Sequence, residues 1–409
     1  MKAVQFNFTI PRYVVGLALG RWFPSVLWSG LSCTVMREVP EPSLLSPDWV
    51  KVKTRLGGIC GTDLGNIHQK TSPYYTPFGS YPFTFGHENV GTLAELGRDV
   101  KGWELGQRVV VEPTLWCEPR GFAKEDWCEF CKRGEINLCQ RYTQGKLSPG
   151  ILIGTNRDTG GSWSTYFLAH KSQLYAVPES VSNENALMAE PFSCGLHAAL
   201  FDFPHDEEKI LILGAGTIGL ITLAALRSLG CKAQIWVSAR YDFQVDAARR
   251  LGASEVLRGG DIYEQTAKAM NAQLLKPAVG KRVVIGGFDR VYECVGSDRT
   301  LDDANRLART HGKVIVVGVP GIAKGLDWAA IYSQELQVQA VDRGGHAENF
   351  RGKKWDAFNL ALDLMKDGKV NLGWMVSRKY ELTDYKKALG ELTQKDSHSL
   401  IKAAFEFAR

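Results

Sequence analysis

The sequence predicts an α/β chain of two domains: an irregular, mostly antiparallel β domain, then a doubly wound parallel sheet with helices on both faces. Three observations carry this. The 409 residues suffice for two domains at about 150 residues each. Short β-branched runs between Gly and Pro fill the first part. VKVK at Val50–Lys53, RVVVE at Arg108–Glu112 and YFLAH at Tyr166–His170 are examples, and they read as strands. From Lys209 strand and helix patterns alternate: KILILGAG, TIGLITLAALRSLG, QIWV, DFQVDAARRLGA, RVYECVG and GKVIVVGV. That alternation means βαβ units and a parallel sheet. Beyond about Asp342 a further helix, AFNLALDLMKDG, is ended by Gly368 and could complete either domain.

Composition narrows the function. The chain is 44 % apolar and 23 % charged, ordinary for a folded globular protein. Its surplus of +5 is spread thinly, with no block of five like charges. This argues against a nucleic-acid arm or a polybasic membrane anchor. Nine cysteines are too few for a disulfide scaffold, and four of them fall within 23 residues, as metal ligands do in a reducing compartment. The expected location is cytoplasmic. The one long apolar segment, Tyr13–Leu31, is interrupted by Arg21 and Pro24 and lacks the features of a signal peptide. It reads as a buried hairpin or lid over the domain in preference to a membrane contact.

Gly214-Ala-Gly216-Thr217-Ile218-Gly219 is a G-x-G-x-x-G that closes an apolar strand and opens a helix, the context that gives the pattern meaning. The first Gly permits the tight turn, the second lets a pyrophosphate approach, and the third lets the helix pack on the strand. A dinucleotide is the expected ligand. The end of the second strand, Ile235–Tyr241, contains no acid, and Ser238, Ala239 and Arg240 stand where a ribose-binding carboxylate would. An arginine there suits a 2′-phosphate, so NADP is favoured over NAD. Asp242, just beyond, is either a helix N-cap or a displaced ribose ligand.

Cys117, Cys128, Cys131 and Cys139 are spaced C-x10-C-x2-C-x7-C. Four thiolates suit a closed tetrahedral zinc that staples a loop, while the ten-residue gap before the C-x2-C core leaves a three-cysteine or metal-free lobe as the alternative. A dispersed set, Cys60 in GGICGTD, His87-Glu88 in FGHENVG and Glu190 in MAEPFSCG, is not joined by spacing alone.

Together GGICGTD, GHENVGTLAELG, CEFCKRGEINLC, EPFSCGLHAAL, GAGTIGL, ECVG and VIVVGVPG resemble the zinc-dependent medium-chain dehydrogenase/reductase family, in that order and over about nine tenths of the chain. Glu112-Pro113 and the EPFS around Glu190 look more like the sorbitol, glucose and threonine dehydrogenase branch. The resemblance implies a GroES-like catalytic domain over 1–192, completed by 342–409, and a Rossmann domain over 193–341. It implies a catalytic zinc on Cys60 and His87, with Glu88 or Glu190 completing the shell and Asp63 behind it. With the structural site, that makes two Zn²⁺ per subunit. Thr62 would take the alcohol proton. Val317, Gly318 and Val319 would meet the carboxamide, and Cys194 would lie near the nicotinamide. A homodimer or homotetramer is implied.

Three departures from the family stand out. The family's relay histidine is replaced by Gly65; His68 could substitute, but a surface histidine is the preferred reading. Residues Phe8–Leu31 look inserted between the first two strands. Leu274–Gly287 looks like an added surface hairpin. Tyr74, Tyr75, Phe78, Tyr81, Phe83, Trp116 and Trp163 either line a pocket for a bulky or aromatic alcohol or pack the β domain. A polyol or sugar fits the branch equally. The expected activity is hydride transfer between a nicotinamide cofactor and an alcohol/aldehyde or alcohol/ketone pair. A zinc-free C=C reductase and a nucleotide- and zinc-binding sensor are the alternatives.

Overall fold

The computed structural model describes residues 1–345, 348–394 and 399–408. One compact unit comprises Met1–Glu190 and the segment from Lys354 onward; the other comprises Pro191–Gly344 and Glu348–Lys353. The C-terminal helix pattern therefore belongs to the first unit.

In the first unit β1 (Lys2–Phe6), β2 (Thr34–Glu38) and β4 (Phe83–Thr84) form a small antiparallel sheet in the order β2-β1-β4. A seven-stranded sheet is built on β3 (Trp49–Gly58). It runs from β19 (Val376–Glu381) and β20 (Lys402–Glu406) through β3 to β5 (Asn89–Leu96), β6 (Arg108–Val111) and β8 (Leu174–Ala176). β7 (Tyr166–His170) pairs with β3 outside that path. Val50, Val52, Leu93, Val109, Val111 and Phe167 fill one core of this unit; Val4, Phe6, Phe85, Trp163 and Phe405 belong to another. The helices are short: α1 (Ile10–Leu19), α2 (Gly61–Ile67), α3 (Glu129–Arg133), α4 (Asn183–Leu187) and α5 (Ala189–Leu200), which continues into the second unit.

The Tyr13–Leu31 segment is not a hairpin. Thr9 caps α1, its hydroxyl accepting from the Arg12 N–H at 3.4 Å, and Pro11 sits in the first turn, where its missing N–H costs nothing. Gly16 is buried so closely that a Cβ there would meet the side chains of Gln69 and Ser32. A 3-10 turn, Pro24–Trp28, follows, with Leu27 and Trp28 buried.

The second unit is a parallel sheet in the order β11-β10-β9-β14-β15-β16. Its strands are β9 (Lys209–Leu213), β10 (Gln234–Ala239), β11 (Glu255–Arg258), β14 (Phe288–Glu293), β15 (Ala308–Val316) and β16 (Gln337–Ala340). Helices α6 (Thr217–Ser228), α7 (Asp242–Arg250), α8 (Ile262–Met270), α9 (Asp298–Leu307) and α10 (Ala329–Ser333) alternate with them. The added segment forms the antiparallel pair β12 (Gln273–Leu275) and β13 (Val283–Ile285). β17 (Glu348–Phe350) and β18 (Lys353–Trp355) flank the passage back to the first unit, where α11 (Ala357–Lys366) precedes β19 and α12 (Tyr385–Thr393) lies between β19 and β20. Among the described residues no helix is long and apolar enough to cross a membrane.

Candidate functional site

Strand register assembles the first site. β3 runs antiparallel to β5 with Gly57 opposite Asn89, and antiparallel to β20 with Gly58 opposite Ala404. Cys60 lies two residues past the end of β3, and His87-Glu88 immediately precede β5. Lys402 opens β20, the neighbouring strand. All four therefore meet at one end of three adjacent strands. The Trp163 indole donates to the Gly58 carbonyl and the Ser162 hydroxyl to the Glu88 carbonyl, each at 2.8 Å, which fixes the backbone on both sides. Ligand atoms of Cys60, His87 and Glu88 lie within 4.8 Å of one another. Glu190, in the first turn of α5, is buried but is not in that set. Of the two alternative glutamates, Glu88 is the one grouped with Cys60 and His87.

Asp63 binds the set from behind. One carboxylate oxygen accepts the Cys60 N–H at 2.9 Å, and the other lies 3.7 Å from His87 Nδ1. Burial raises the pKa of Asp63. Burial pushes the His87 imidazole down, but Cys60, Asp63 and Glu190 outweigh it and hold the pKa well above the usual value. Burial, with Glu88 adding, pushes Glu190 up to about 7 against the pull of His87 and Lys402. Lys402 is the residue that sequence reasoning missed. Its ammonium is buried and ion-paired with Glu88, and Glu88, Cys60 and Glu190 raise its pKa against burial. Only the strand register, which no local motif encodes, could have found it.

Thr62 follows Cys60 in the first turn of α2, and its hydroxyl oxygen is buried without a hydrogen-bond partner in the protein. Such a group usually has one, so a ligand hydroxyl is the natural complement. Gly65 lies within α2. His68, expected at the surface, is half-buried at the C-cap of α2, edge-on to Trp28 at 6.0 Å, and burial lowers its pKa. The inserted segment supplies Trp28, which is why exposure could not be judged locally. The aromatic run resolves mainly as packing. Tyr81, Phe83 and Trp163 pack in the core with Phe6, and Trp116 and Phe78 pack on the cysteine lobe. Tyr74 is largely exposed and Tyr75 partly so.

The second cluster is local. Cys117, Cys128, Cys131 and Cys139 are all buried, with ligand atoms within 4.8 Å. Cys117 and Cys139 sulfurs are 3.8 Å apart, and backbone N–H groups of Cys128 and Arg141 donate to them at 3.3 and 3.4 Å. Four converging thiols, every one unoxidised, match the donor set of a closed zinc site. Contacts with Cys131 lower the Cys139 pKa to about 6, while burial pushes Cys117 up to about 12. The buried Arg120 guanidinium ties the lobe together by donating to the carbonyls of Leu115, Gln144, Leu147, Ser148 and Gly150.

In the second unit Gly214 follows β9 at φ +98°, a conformation that favours glycine, and Gly216 caps α6. A Cβ on Gly219 would run into the Gly214 carbonyl, so the turn is closed tightly, while the space beside Gly216 is open. Thr217 and Ile218 begin α6, whose N–H groups suit a pyrophosphate. Ser238 ends in β10, and Arg240 is exposed, its guanidinium 5.2 Å from the Tyr241 ring. Asp242 is not the N-cap, a place Tyr241 takes; it is the first residue of α7 and is ion-paired with Arg258. Arg258 ends β11 opposite Ala239, a second arginine at this strand end. Backbone N–H groups of Val317 and Gly318 donate to the Glu293 carbonyl at 2.8 and 2.9 Å, and Val319 is exposed. Cys194 is half-buried in α5.

These features define a zinc-binding dehydrogenase fold. Residues 46–179 match the alcohol dehydrogenase GroES-like domain, and residues 217–365 match the zinc-binding dehydrogenase domain. The chain belongs to the zinc-dependent medium-chain dehydrogenase/reductase family and is an oxidoreductase of its alcohol and polyol dehydrogenase class. It is 27 % identical over 340 residues to an L-idonate 5-dehydrogenase of Vitis vinifera, covering 82 % of each chain. It is 28 % identical over 363 residues to a sorbitol dehydrogenase of Bacillus subtilis, covering 87 % of this chain and 89 % of that one. The fold is similar to 2R,3R-butanediol dehydrogenase from Bacillus subtilis (TM-score 0.71, 22 % identity, 100 % and 99 % coverage). It is equally similar to a putative zinc-binding dehydrogenase from Sinorhizobium meliloti bound to NADP (TM-score 0.71, 24 % identity, 99 % of both chains).

Proposed function

We propose that this chain is a zinc-dependent, NADP-preferring dehydrogenase that interconverts a polyol- or sugar-type alcohol and its carbonyl. The observation that carries the reading is the convergence of Cys60, His87 and Glu88, with the partnerless Thr62 hydroxyl two residues along from Cys60. Cys60, His87 and Glu88 would hold a zinc with fewer protein donors than a closed site has, as a catalytic zinc requires, whereas the four thiols of the lobe suit a structural zinc. Zinc held by the mixed set supplies Lewis acidity toward the alcohol oxygen. The chain's own residues do the rest. Asp63 orients Cys60 and His87, as partners behind metal ligands commonly do. Lys402 offsets the Glu88 charge. Thr62 offers its hydroxyl to exchange a proton with the substrate. Hydride transfer belongs to the nicotinamide, which the Gly214–Gly219 turn would anchor.

Packing of the aromatic run in the cores removes most of a bulky apolar pocket, which supports a polyol or sugar, as do the substrates in the names of the sorbitol and idonate relatives. Arg240, with no carboxylate over Ile235–Tyr241, supports NADP. Nine free thiols support a reducing compartment. The exposed edge strand β16 supports a homodimer or homotetramer joined through the nucleotide units.

Steady-state kinetics over polyols, sugars and aromatic alcohols with both cofactors test the reading. Replacing Arg240 with Ala should raise the KM for NADP about tenfold, the worth of one charge-assisted phosphate contact, and leave NAD nearly unaffected. An equal effect on both would remove Arg240 from phosphate recognition. Reduction of an activated alkene without alcohol turnover would point to a zinc-free reductase instead.

A further inference from the structure

We propose that α1 and the turn after it dock this protein reversibly on an anionic lipid bilayer surface. The geometry starts the argument. Ile10, Val14 and Leu17 recur at i, i+4 and i+7 and form one stripe of α1, and Trp22 and Phe23 extend it past the helix. These five side chains are between 53 % and 74 % exposed. One flank of the helix is occupied: Gly16 is buried against Gln69 and Ser32, and Gly20 lies against Leu27. The stripe is therefore an outward face of a seated helix.

Charge selects the occupant. Residues 1–37 carry Lys2, Arg12, Arg21 and Arg37 and no Asp or Glu; Glu38 stands opposite Lys2 in the β1–β2 pair, which leaves Arg12 and Arg21 as the cations of α1 and its turn. Arg21 is exposed, with its guanidinium 5.8 Å from the Trp22 ring, an aromatic–cation pair suited to the headgroup level. The adjoining α12, whose Tyr385 hydroxyl donates to the Trp28 carbonyl at 3.1 Å, adds exposed Lys386 and Lys387 next to Asp384. A second copy brought face to face would set Arg21, Lys386 and Lys387 against the same cations, with Asp384 alone between them to meet three positive charges. Anionic headgroups supply that missing charge. At 10 residues α1 is about 15 Å long, half the hydrocarbon thickness, so it lies in the interface plane.

The test is cosedimentation of the zinc-loaded full chain with vesicles of phosphatidylcholine alone and of an equimolar phosphatidylcholine–phosphatidylglycerol mixture. The proposal expects binding to the anionic vesicles, weakened by high salt. Leu17→Glu and Trp22→Glu should each lower the bound fraction about tenfold while leaving Tm and dinucleotide binding unchanged. Three results would overturn it: no binding to either vesicle, binding indifferent to lipid charge, or full binding by both variants. Self-association that Leu17→Glu abolishes, without vesicle binding, would assign the face to a second copy.

Discussion

Cys117, Cys128, Cys131 and Cys139 come from 23 consecutive residues and converge as four buried thiols held by backbone N–H groups. Cys60, His87, Glu88 and Lys402 come from the ends of three strands, and their donors differ in type and charge. The first cluster is chemically uniform and closed, with a buried arginine binding its loop together. The second is mixed and keeps a partnerless hydroxyl nearby. On the proposed reading, one unit holds a staple apart from a reaction centre. The two sets differ in how they are assembled: one within a single loop, the other by the pairing of three strands.

That separation can be broken by experiment. Changing Cys60 to Ser should cost about a thousandfold in turnover, several kcal/mol of Lewis-acid stabilisation, while the melting temperature moves little. Calorimetry and kinetics on one sample check this, and retained turnover would dissolve the assignment. Changing Cys131 to Ala should act in the opposite sense. If the four thiols hold a structural zinc, folding of the lobe is coupled to it, and a loss on the order of 4 kcal/mol and about 10 °C in Tm is expected. Undiminished stability would show that the lobe does not depend on zinc.

Lys402→Met sharpens the contrast. It leaves the Glu88 carboxylate buried without its cation, at a cost of about 3 kcal/mol; adding Glu88→Gln should recover most of that. A double-mutant cycle in denaturant measures the coupling, and additive costs would mean that the pair is not coupled.

The smallest effect concerns His170, which ends β7 and belongs to neither cluster. Burial against Trp49 pushes its pKa from 6.5 down to about 4. The unfolded chain therefore binds the extra proton between those values. Stability from this group is complete above pH 6.5 and falls by about 3 kcal/mol as the pH drops to 4. His170→Gln should flatten that part of a stability–pH curve, and an unchanged slope would locate the acid sensitivity elsewhere.

The same contrast explains what was legible in the sequence. The parallel sheet declared itself, because GAGTIG sits between an apolar strand and a helix. The C-x2-C core showed the lobe, because its ligands are neighbours along the chain. The dispersed set was joined only by family resemblance, and Lys402 was invisible, since its place beside Glu88 depends on the pairing of β20 with β3. Segment Tyr13–Leu31 reads as a hairpin or lid, whereas Ile10–Leu19 is a helix in which Gly16 serves close packing on Gln69 and Ser32. The N-cap reading of Asp242 failed because the cap is displaced by one residue to Tyr241, and the partner of the Asp242 carboxylate lies on another strand.

The most direct test is zinc content per subunit of the purified protein, Cys60→Ser and Cys131→Ala, measured by mass spectrometry alongside Tm. Two zinc ions in the parent are predicted. Each variant should lose one, with loss of turnover alone in Cys60→Ser and loss of stability in Cys131→Ala. A single zinc that survives Cys60→Ser, or one that leaves with either change, would contradict two separate sites.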